Sequence, residues 1–342
     1  MYNGRMLEIL SPNGKVCLYT KSAQDYLQNG GDVANYFNNQ LIESNQAIPV
    51  FISWETDKPA HSFTIKYSEN KSFENCQTVV AVGNANSVEV YNLLKATTYY
   101  VEISALYTDG TIESATHTFS TMEKGPRPLK IDGIFNTRDI GGYLLPNGKR
   151  TKQNKIFRGG ALSPCKDSET IGLTGSGRRY MSEVLGIKTE IDFRGREEAQ
   201  KGDDSEIPNA TLFYIVLNGY DAIINHAESC RQLFSILADE KNYPIYLHCT
   251  GGADRTGTVC FLINALLGVD GQTLIEDYEF TTFSYYTIRS TKSEWTEPLW
   301  KNFMNIINSH KGNTISEKVE NLLLSMGVDI ENINSVRKIM ID

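Results

Sequence analysis

A cysteine followed at a fixed distance by an arginine and a threonine stands in the run His248-Cys249-Thr250-Gly251-Gly252-Ala253-Asp254-Arg255-Thr256-Gly257. Those residue types at that spacing can bind a phosphate ester and attack it. Cys249 supplies a sulfur nucleophile. Gly251 and Gly252 let the backbone curl until its N–H groups converge on one point. A helix beginning at Arg255 adds partial positive charge at that point. The guanidinium of Arg255 can fork two hydrogen bonds onto one anion, a geometry lysine lacks. The same field favours the thiolate of Cys249 over the thiol. Thr256 can donate its hydroxyl to the sulfur, while Thr250 and Ala253 complete the loop that would line the anion. A cysteine by itself is more often a buried structural residue. The whole pattern, with a strand before it and a helix after it, points to catalysis.

The flanks supply that strand and helix. Ile245-Tyr246-Leu247 is a short apolar run after Pro244 and reads as a buried strand. Val259, Leu262, Ile263, Leu266 and Leu267 recur at the spacing of a helix with one buried face, which Gly268 closes. Cys249 therefore ends a strand and Arg255 opens a helix.

The loop resembles the cysteine-based protein tyrosine phosphatases, H-C-x-x-G-x-x-R-[ST]. More narrowly it resembles the bacterial branch of atypical dual-specificity (tyrosine/serine) phosphatases, whose loop reads H-C-x-x-G-K-D-R-T-G. Asn136-Thr137-Arg138-Asp139-Ile140-Gly141-Gly142 is similar to that branch's N-x-R-D-[LIV]-G-G segment. Phe157-Arg158-Gly159-Gly160-Ala161-Leu162 is similar to its R-[SG]-x-x-L segment. Ile191-Asp192-Phe193-Arg194 with Glu197 resembles its D-[LF]-R strand end, which a glutamate follows. The resemblance runs from about Lys130 to the C-terminus. It implies an α/β phosphatase domain, a phosphocysteine intermediate and no metal or other cofactor. Ala253 departs from the branch, which carries lysine there, and this weakens the case for highly charged substrates such as phosphoinositides.

The resemblance places the general acid at Asp254, inside the loop. A carboxylic acid there could protonate the leaving oxygen. The alternative is a carboxylate that only orients Arg255. No Trp-Pro-Asp motif supplies an acid elsewhere, and Asp221 in Asn218-Gly219-Tyr220-Asp221 is the runner-up. His248, Arg138, Asp139, Asp192 and Arg194 are expected to support the loop. Arg138 and Asp139 either face the site or form an ion pair that braces the fold. Asp192 and Arg194 end a strand on the usual site face of α/β sheets. Asp277-Tyr278 is expected near the start of a later helix, in a packing or capping role.

The 342 residues suffice for two domains. A net charge of −8 argues against non-specific nucleic-acid or anionic-membrane binding. No apolar run approaches the roughly 20 residues that span a bilayer. Met1-Tyr2-Asn3-Gly4-Arg5 lacks a signal-peptide start, so the expectation is cytoplasmic, or secreted if the terminus is trimmed. Cys17, Cys76, Cys165, Cys230, Cys249 and Cys260 form no C-x-x-C pair and no zinc-type cluster. A working Cys249 must stay reduced, which leans towards a reducing compartment. His61, His117, His226 and His310 read as ordinary polar or capping residues.

The chain is expected to be multidomain: an all-β sandwich at 46–122, a linker at 123–129 and an α/β phosphatase domain at 130–342. Residues 1–45 form a segment without a functional reading. There Pro12-Asn13-Gly14 could turn a hairpin between Leu7-Glu8-Ile9-Leu10 and Lys15-Val16-Cys17-Leu18-Tyr19, and Asp32 to Leu41 could be a short helix. From Ile48 to Thr121 strands are expected at Val50–Trp54, Phe63–Tyr67, Ser87–Tyr91, Tyr99–Leu106 and Ala115–Phe119, the last after an Asp109-Gly110 turn. Trp54 and the run Leu93 to Tyr99 resemble a fibronectin type III domain. That resemblance makes Tyr99 a corner tyrosine whose hydroxyl bonds back to the preceding turn. Strands at Ile187–Phe193 and Leu212–Leu217, and helices at His226–Leu237, Ser316–Leu324 and Ile330–Ile339, complete the α/β pattern.

The resulting expectation is hydrolysis of phosphomonoesters, led by phosphotyrosine in proteins or peptides, with phosphoserine and phosphothreonine open. One alternative is a phosphatase of inositol phosphates or other small metabolites. A second is a phosphate-binding interaction protein with the β-domain as its main unit. The partner of the β-domain is unknown. Every phosphatase motif lies beyond the linker, so a fragment from Lys124 is expected to be self-sufficient.

Overall fold

The computed structural model describes residues 7–37, 47–163, 172–284 and 288–342. The start Met1 to Arg5, the end of the stretch Asp32 to Leu41, and Cys165 lie outside the described residues. Two compact units form: Met1–Leu18 with Ala47–Glu123, and Tyr19–Gln46 with Lys124–Asp342.

The first unit contains eight described strands in two sheets. They are β1 Leu7–Ser11, β2 Lys15–Val16, β3 Val50–Thr56, β4 Ala60–Ser68, β5 Gln77–Val82, β6 Ser87–Val90, β7 Thr98–Tyr107 and β8 Ile112–Thr121. One sheet runs β1-β3-β6 and the other β2-β8-β7-β4-β5. Alternation along β7 puts Tyr99, Val101, Ile103, Ala105 and Tyr107 inside, with Phe63 of the neighbouring β4, whose ring lies 4.9 Å from that of Trp54 on the other sheet. The Tyr99 hydroxyl accepts a hydrogen bond from Leu94 N at 2.9 Å, closing the expected corner.

Pro12-Asn13-Gly14 does not turn a hairpin. β1 pairs antiparallel with β3, whereas β2 pairs parallel with β8 in the other sheet. The turn therefore passes the chain between sheets. β5 carried no sequence signal because Thr78-Val79-Val80-Ala81-Val82 does not alternate, and as an edge strand it leaves Val80 and Val82 exposed.

The second unit begins with α1 Lys21–Asn29 and a 3₁₀ turn at Val33–Tyr36, capped by the Asp32 carboxylate. A short 3₁₀ turn thus replaces the described part of the helix expected from Asp32. Its sheet contains β9 Arg127–Pro128, β10 Arg138–Asp139, β11 Ile156–Gly159, β12 Thr189–Asp192, β13 Thr211–Tyr214 and β14 Ile245–His248, in the order β13-β12-β14-β11-β10-β9. β9 falls within the stretch expected as a linker, and Leu129 beside it is fully buried. β13, β12, β14 and β11 run parallel. Their apolar runs fit burial on both faces: Ile245 and Leu247 enter one core, Tyr246 and Phe157 the other.

The helices that follow are α2 Gly175–Arg179, α3 Arg196–Ala199, α4 Ala222–Asn225, α5 Ala227–Leu237, α6 Arg255–Leu267, α7 Gly271–Glu279, α8 Thr296–Asn308, α9 Ile315–Ser325 and α10 Ile330–Met340. α6 starts at Arg255 and ends at left-handed Gly268. It does not keep one polar face. Every residue after Arg255 is buried, because α7, α9 and α10 pack around the faces left by the sheet. Asp277 lies in the last turn of α7, not near a helix start.

Candidate active site

Parallel register brings Gly159, Asp192 and His248 side by side at the carboxyl ends of β11, β12 and β14. That edge is where open α/β sheets place ligands. Cys249 follows β14 directly and is 3% exposed. The loop then runs to Arg255 at the first turn of α6.

Three successive loop carbonyls are tied from outside. Ala161 N donates to Thr250 O at 2.9 Å. Asn136 Nδ2 donates to Gly251 O at 2.9 Å, and Arg158 Nη2 donates to Gly252 O at 2.7 Å. A trans peptide plane sets the following N–H opposite its carbonyl. Anchoring these oxygens outward therefore turns the amides of Gly251, Gly252 and Ala253 the other way, into the curl of the loop. Gly252 has φ +63°, and a Cβ there would lie 2.1 Å from Gly159 O, so both backbone angle and space require glycine.

Arg255 is held by a residue from another element. Glu198 on α3 accepts from Nη1 at 2.8 Å and from Nη2 at 2.6 Å. Thr250 Oγ1 donates to the same carboxylate at 2.9 Å. The hydrogen bond from Arg255 keeps the Glu198 carboxyl below its ordinary value, against the partial burial that would raise it. The glutamate that meets the loop is Glu198, the residue after Glu197 on α3.

Asp254 does not orient Arg255. Its Oδ1 accepts from Arg289 Nε at 3.0 Å and from the Tyr278 hydroxyl at 3.3 Å. Arg289 also lies over the Trp295 ring, 5.0 Å from its centroid. Asp221, the other acid candidate, accepts from Asn302 Nδ2 of α8 at 2.7 Å. Thr256 Oγ1 is buried and has no hydrogen-bond partner, so the expected bond to the Cys249 sulfur is not made. Ala253 is 3% exposed, and the loop presents no charge at that position.

The residues expected to support the loop are all buried. His248 Nε2 lies 2.9 Å from Glu190 Oε1, and Nδ1 lies 3.8 Å from Asp192 Oδ1. Burial would raise the Glu190 carboxyl, but the His248 hydrogen bond and charge, with Lys201, outweigh it and hold it down at about 2. Asp192 pairs with Arg194 at 2.8 Å. Glu190, Asp192 and His248 have the spacing of metal ligands, yet Lys201 and Arg194 already complement the carboxylates. Arg138 and Asp139 do not pair with each other: Arg138 bonds Asp277 and Asp139 bonds Arg127.

Glu198, Arg289 and Asp277 were not assigned to the site from sequence. They carried no local signal, being separated from the loop along the chain and joined to it only by packing. Among the described residues, Cys76, Cys230, Cys249 and Cys260 are free thiols. Among the described residues, no helix is long and apolar enough to cross a membrane.

A model of the tyrosine phosphatase family matches residues 129–338. A Cupriavidus necator protein provisionally named a tyrosine-protein phosphatase is 26% identical over 185 residues, 45% of this chain. The match spans 63% of that relative's length. Among solved structures, the core catalytic domain of the PP-IP phosphatase Siw14 from Saccharomyces cerevisiae is 14% identical, with a TM-score of 0.30, covering 48% of this chain and 85% of its own. The fn3 domain of human collagen alpha-1(XX) is 25% identical, with a TM-score of 0.20, covering 22% and 68%. Both scores are too low to establish a shared fold. The family match takes in the strand ends, the Cys249–Arg255 loop and the helices around it, and the chain belongs to the tyrosine phosphatase family.

Proposed function

We propose that this protein hydrolyses phosphomonoesters through Cys249, with phosphotyrosine in proteins or peptides as the leading substrate and phosphoserine or phosphothreonine as further ones. The observation that carries this reading is the loop whose carbonyls are tied outward between a buried cysteine and an arginine at a helix start. Cys249 Sγ attacks phosphorus as the ester P–O bond breaks. Inward amides of 251–253 and Arg255 bind the non-bridging oxygens. Asp254, aimed by Arg289 and Tyr278, gives its proton to the leaving oxygen. It then takes a proton from the water that cleaves the S–P bond and releases phosphate. His248, Asp192, Arg194, Arg138 and Asp139 hold the loop and its flanks, and Thr250, Gly251, Gly252, Ala253 and Thr256 form its wall. The absence of a charged side chain at Ala253 favours monophosphates over phosphoinositides.

The first unit is read as a fibronectin type III-like sandwich ending near residue 122, with the phosphatase unit beginning beyond it. Strand order, buried Trp54 and the Tyr99–Leu94 corner support that reading.

The test compares p-nitrophenyl phosphate, a phosphotyrosine peptide, a phosphoserine peptide and a soluble phosphoinositide. Turnover should be fastest on the aryl substrates, persist in EDTA and fall with vanadate. Cys249→Ser should lose turnover while still binding phosphate. Wild-type-like turnover in Cys249→Ser would overturn the mechanism. Phosphate binding without turnover in the wild type would favour an interaction protein.

A further inference from the structure

We infer that Asp277 is a positioning residue for the anion-binding loop, acting through two arms that reach consecutive loop carbonyls. The inference rests on the proposed reading of the loop as an oxyanion site. Asp277 Oδ2 accepts from Arg158 Nη1 at 3.1 Å, and Arg158 Nη2 holds Gly252 O. Asp277 Oδ1 accepts from Arg138 Nε at 3.1 Å, Arg138 Nη1 donates to Asn136 Oδ1 at 2.5 Å, and Asn136 Nδ2 holds Gly251 O. Each carboxylate oxygen thus begins one arm. The Tyr143 hydroxyl also donates to Oδ1, at 3.1 Å.

The geometry explains why a carboxylate is needed at the end of α7. Two guanidiniums, both fully buried, converge on one point beneath the loop. Without a shared anion they would repel each other in a medium that screens poorly. With it, each guanidinium is fixed in plane and its remaining N–H groups are aimed. Arg158 is aimed at Gly252 O, and Arg138 fixes the Asn136 amide so that its nitrogen end faces Gly251 O. Asn136 is left-handed, φ +59°, which sets its side chain under the loop. α7 also packs closely on the first turn of α6: a Cβ on Gly257 would lie 2.9 Å from the ring of Tyr278, the residue after Asp277. The outward set of two of the three anchored carbonyls, and with it the inward set of the Gly252 and Ala253 amides, traces to this carboxylate.

An asparagine at 277 offers one oxygen in place of two and turns an N–H towards one guanidinium. One arm is then lost while the side-chain volume is kept. The experiment uses the full chain and three measurements: the inhibition constant of inorganic phosphate against p-nitrophenyl phosphate, kcat and KM separately, and the melting temperature. In folded Asp277→Asn the phosphate constant should rise about tenfold or more with kcat/KM falling in step, a part of the roughly hundredfold or greater loss seen when an oxyanion donor is removed outright. A purely structural role would lower the melting temperature and leave the phosphate constant within about twofold, the range of an inert substitution. That result overturns the inference. If Asp277→Asn does not fold, Asn136→Gly and Arg158→Lys each cut one arm with Asp277 in place. A raised phosphate constant in either upholds the inference, and no change in both overturns it. A wild-type chain that neither binds phosphate nor turns over would instead sink the phosphatase reading itself.

Discussion

Glu198 lays both carboxylate oxygens on the Arg255 guanidinium, Oε1 2.6 Å from Nη2 and Oε2 2.8 Å from Nη1. A guanidinium has five N–H donors, so this fork uses only some of them while fixing the plane of the rest. Glu198 therefore fixes the plane of Arg255, the group proposed to bind the substrate's phosphate. Glu198→Gln should lower kcat/KM on p-nitrophenyl phosphate by about tenfold, the loss of one charge-assisted hydrogen bond. A rise in kcat/KM would show instead that Glu198 competes with substrate for Arg255.

Asp254 is gripped by Arg289 rather than by its neighbour Arg255. If Asp254 is the proton donor, Asp254→Asn should slow alkyl phosphates about a hundredfold more than p-nitrophenyl phosphate, whose anion leaves with little help. Arg289→Gln should show the same leaving-group pattern with a smaller loss, because it misaims the acid without removing it. Equal losses on both substrates in Asp254→Asn would move the role to Asp221.

The buried group Glu190–His248–Lys201 predicts a pH dependence of stability. Glu190 is held at about 2 in the folded chain, against about 4.3 when free. A carboxyl depressed on folding contributes stability that is fully present above the free value. The contribution is lost as pH falls from about 4 through about 2, and is on the order of 3 kcal/mol. Urea unfolding between pH 6 and pH 2.5 should therefore steepen in its loss of stability below about pH 4 in the wild type. Glu190→Gln, less stable at pH 7, should lose less over that range. Parallel pH profiles for the two proteins would rule this out.

A fragment starting at Lys124 should be less stable than one that retains residues 19–46. Tyr26 of α1 donates to the buried Glu279, Asp32 accepts from Ser290 Oγ at 2.6 Å, and Lys124 itself donates to Leu27 O. Removing α1 leaves Glu279, 1% exposed in the whole unit, without one of its partners. An unpaired buried polar group costs about 1–3 kcal/mol, and more when charged. Thermal melts of the fragment and the full chain measure the difference. An equally stable, active fragment would return the phosphatase unit to the boundary expected from sequence.

The sequence determined what is local. Cys249, Asp254 and Arg255 lie within one turn of loop, so the proposed chemistry can be read from their types and spacing before any fold is known. The flanking strand and helix follow from a short apolar run and a 3.6-residue period, and the Tyr99 corner is also set within a few residues. Tertiary structure decided what depends on partners distant in sequence. Which glutamate meets Arg255, and which arginine grips Asp254, depends on where α3 and the segment after α7 come to rest. Pro12-Asn13-Gly14 has the residues of a hairpin turn, but its flanking strands find better-matched neighbours in two different sheets. α6 carries the period of a half-exposed helix and is buried throughout, because periodicity records one face and not how many elements will pack on the others. Asp277 gives no sign in the chain that it joins two arginines beneath the loop. A carboxylate's role is set by the charges folded against it, and only the packed structure brings Arg138 and Arg158 there.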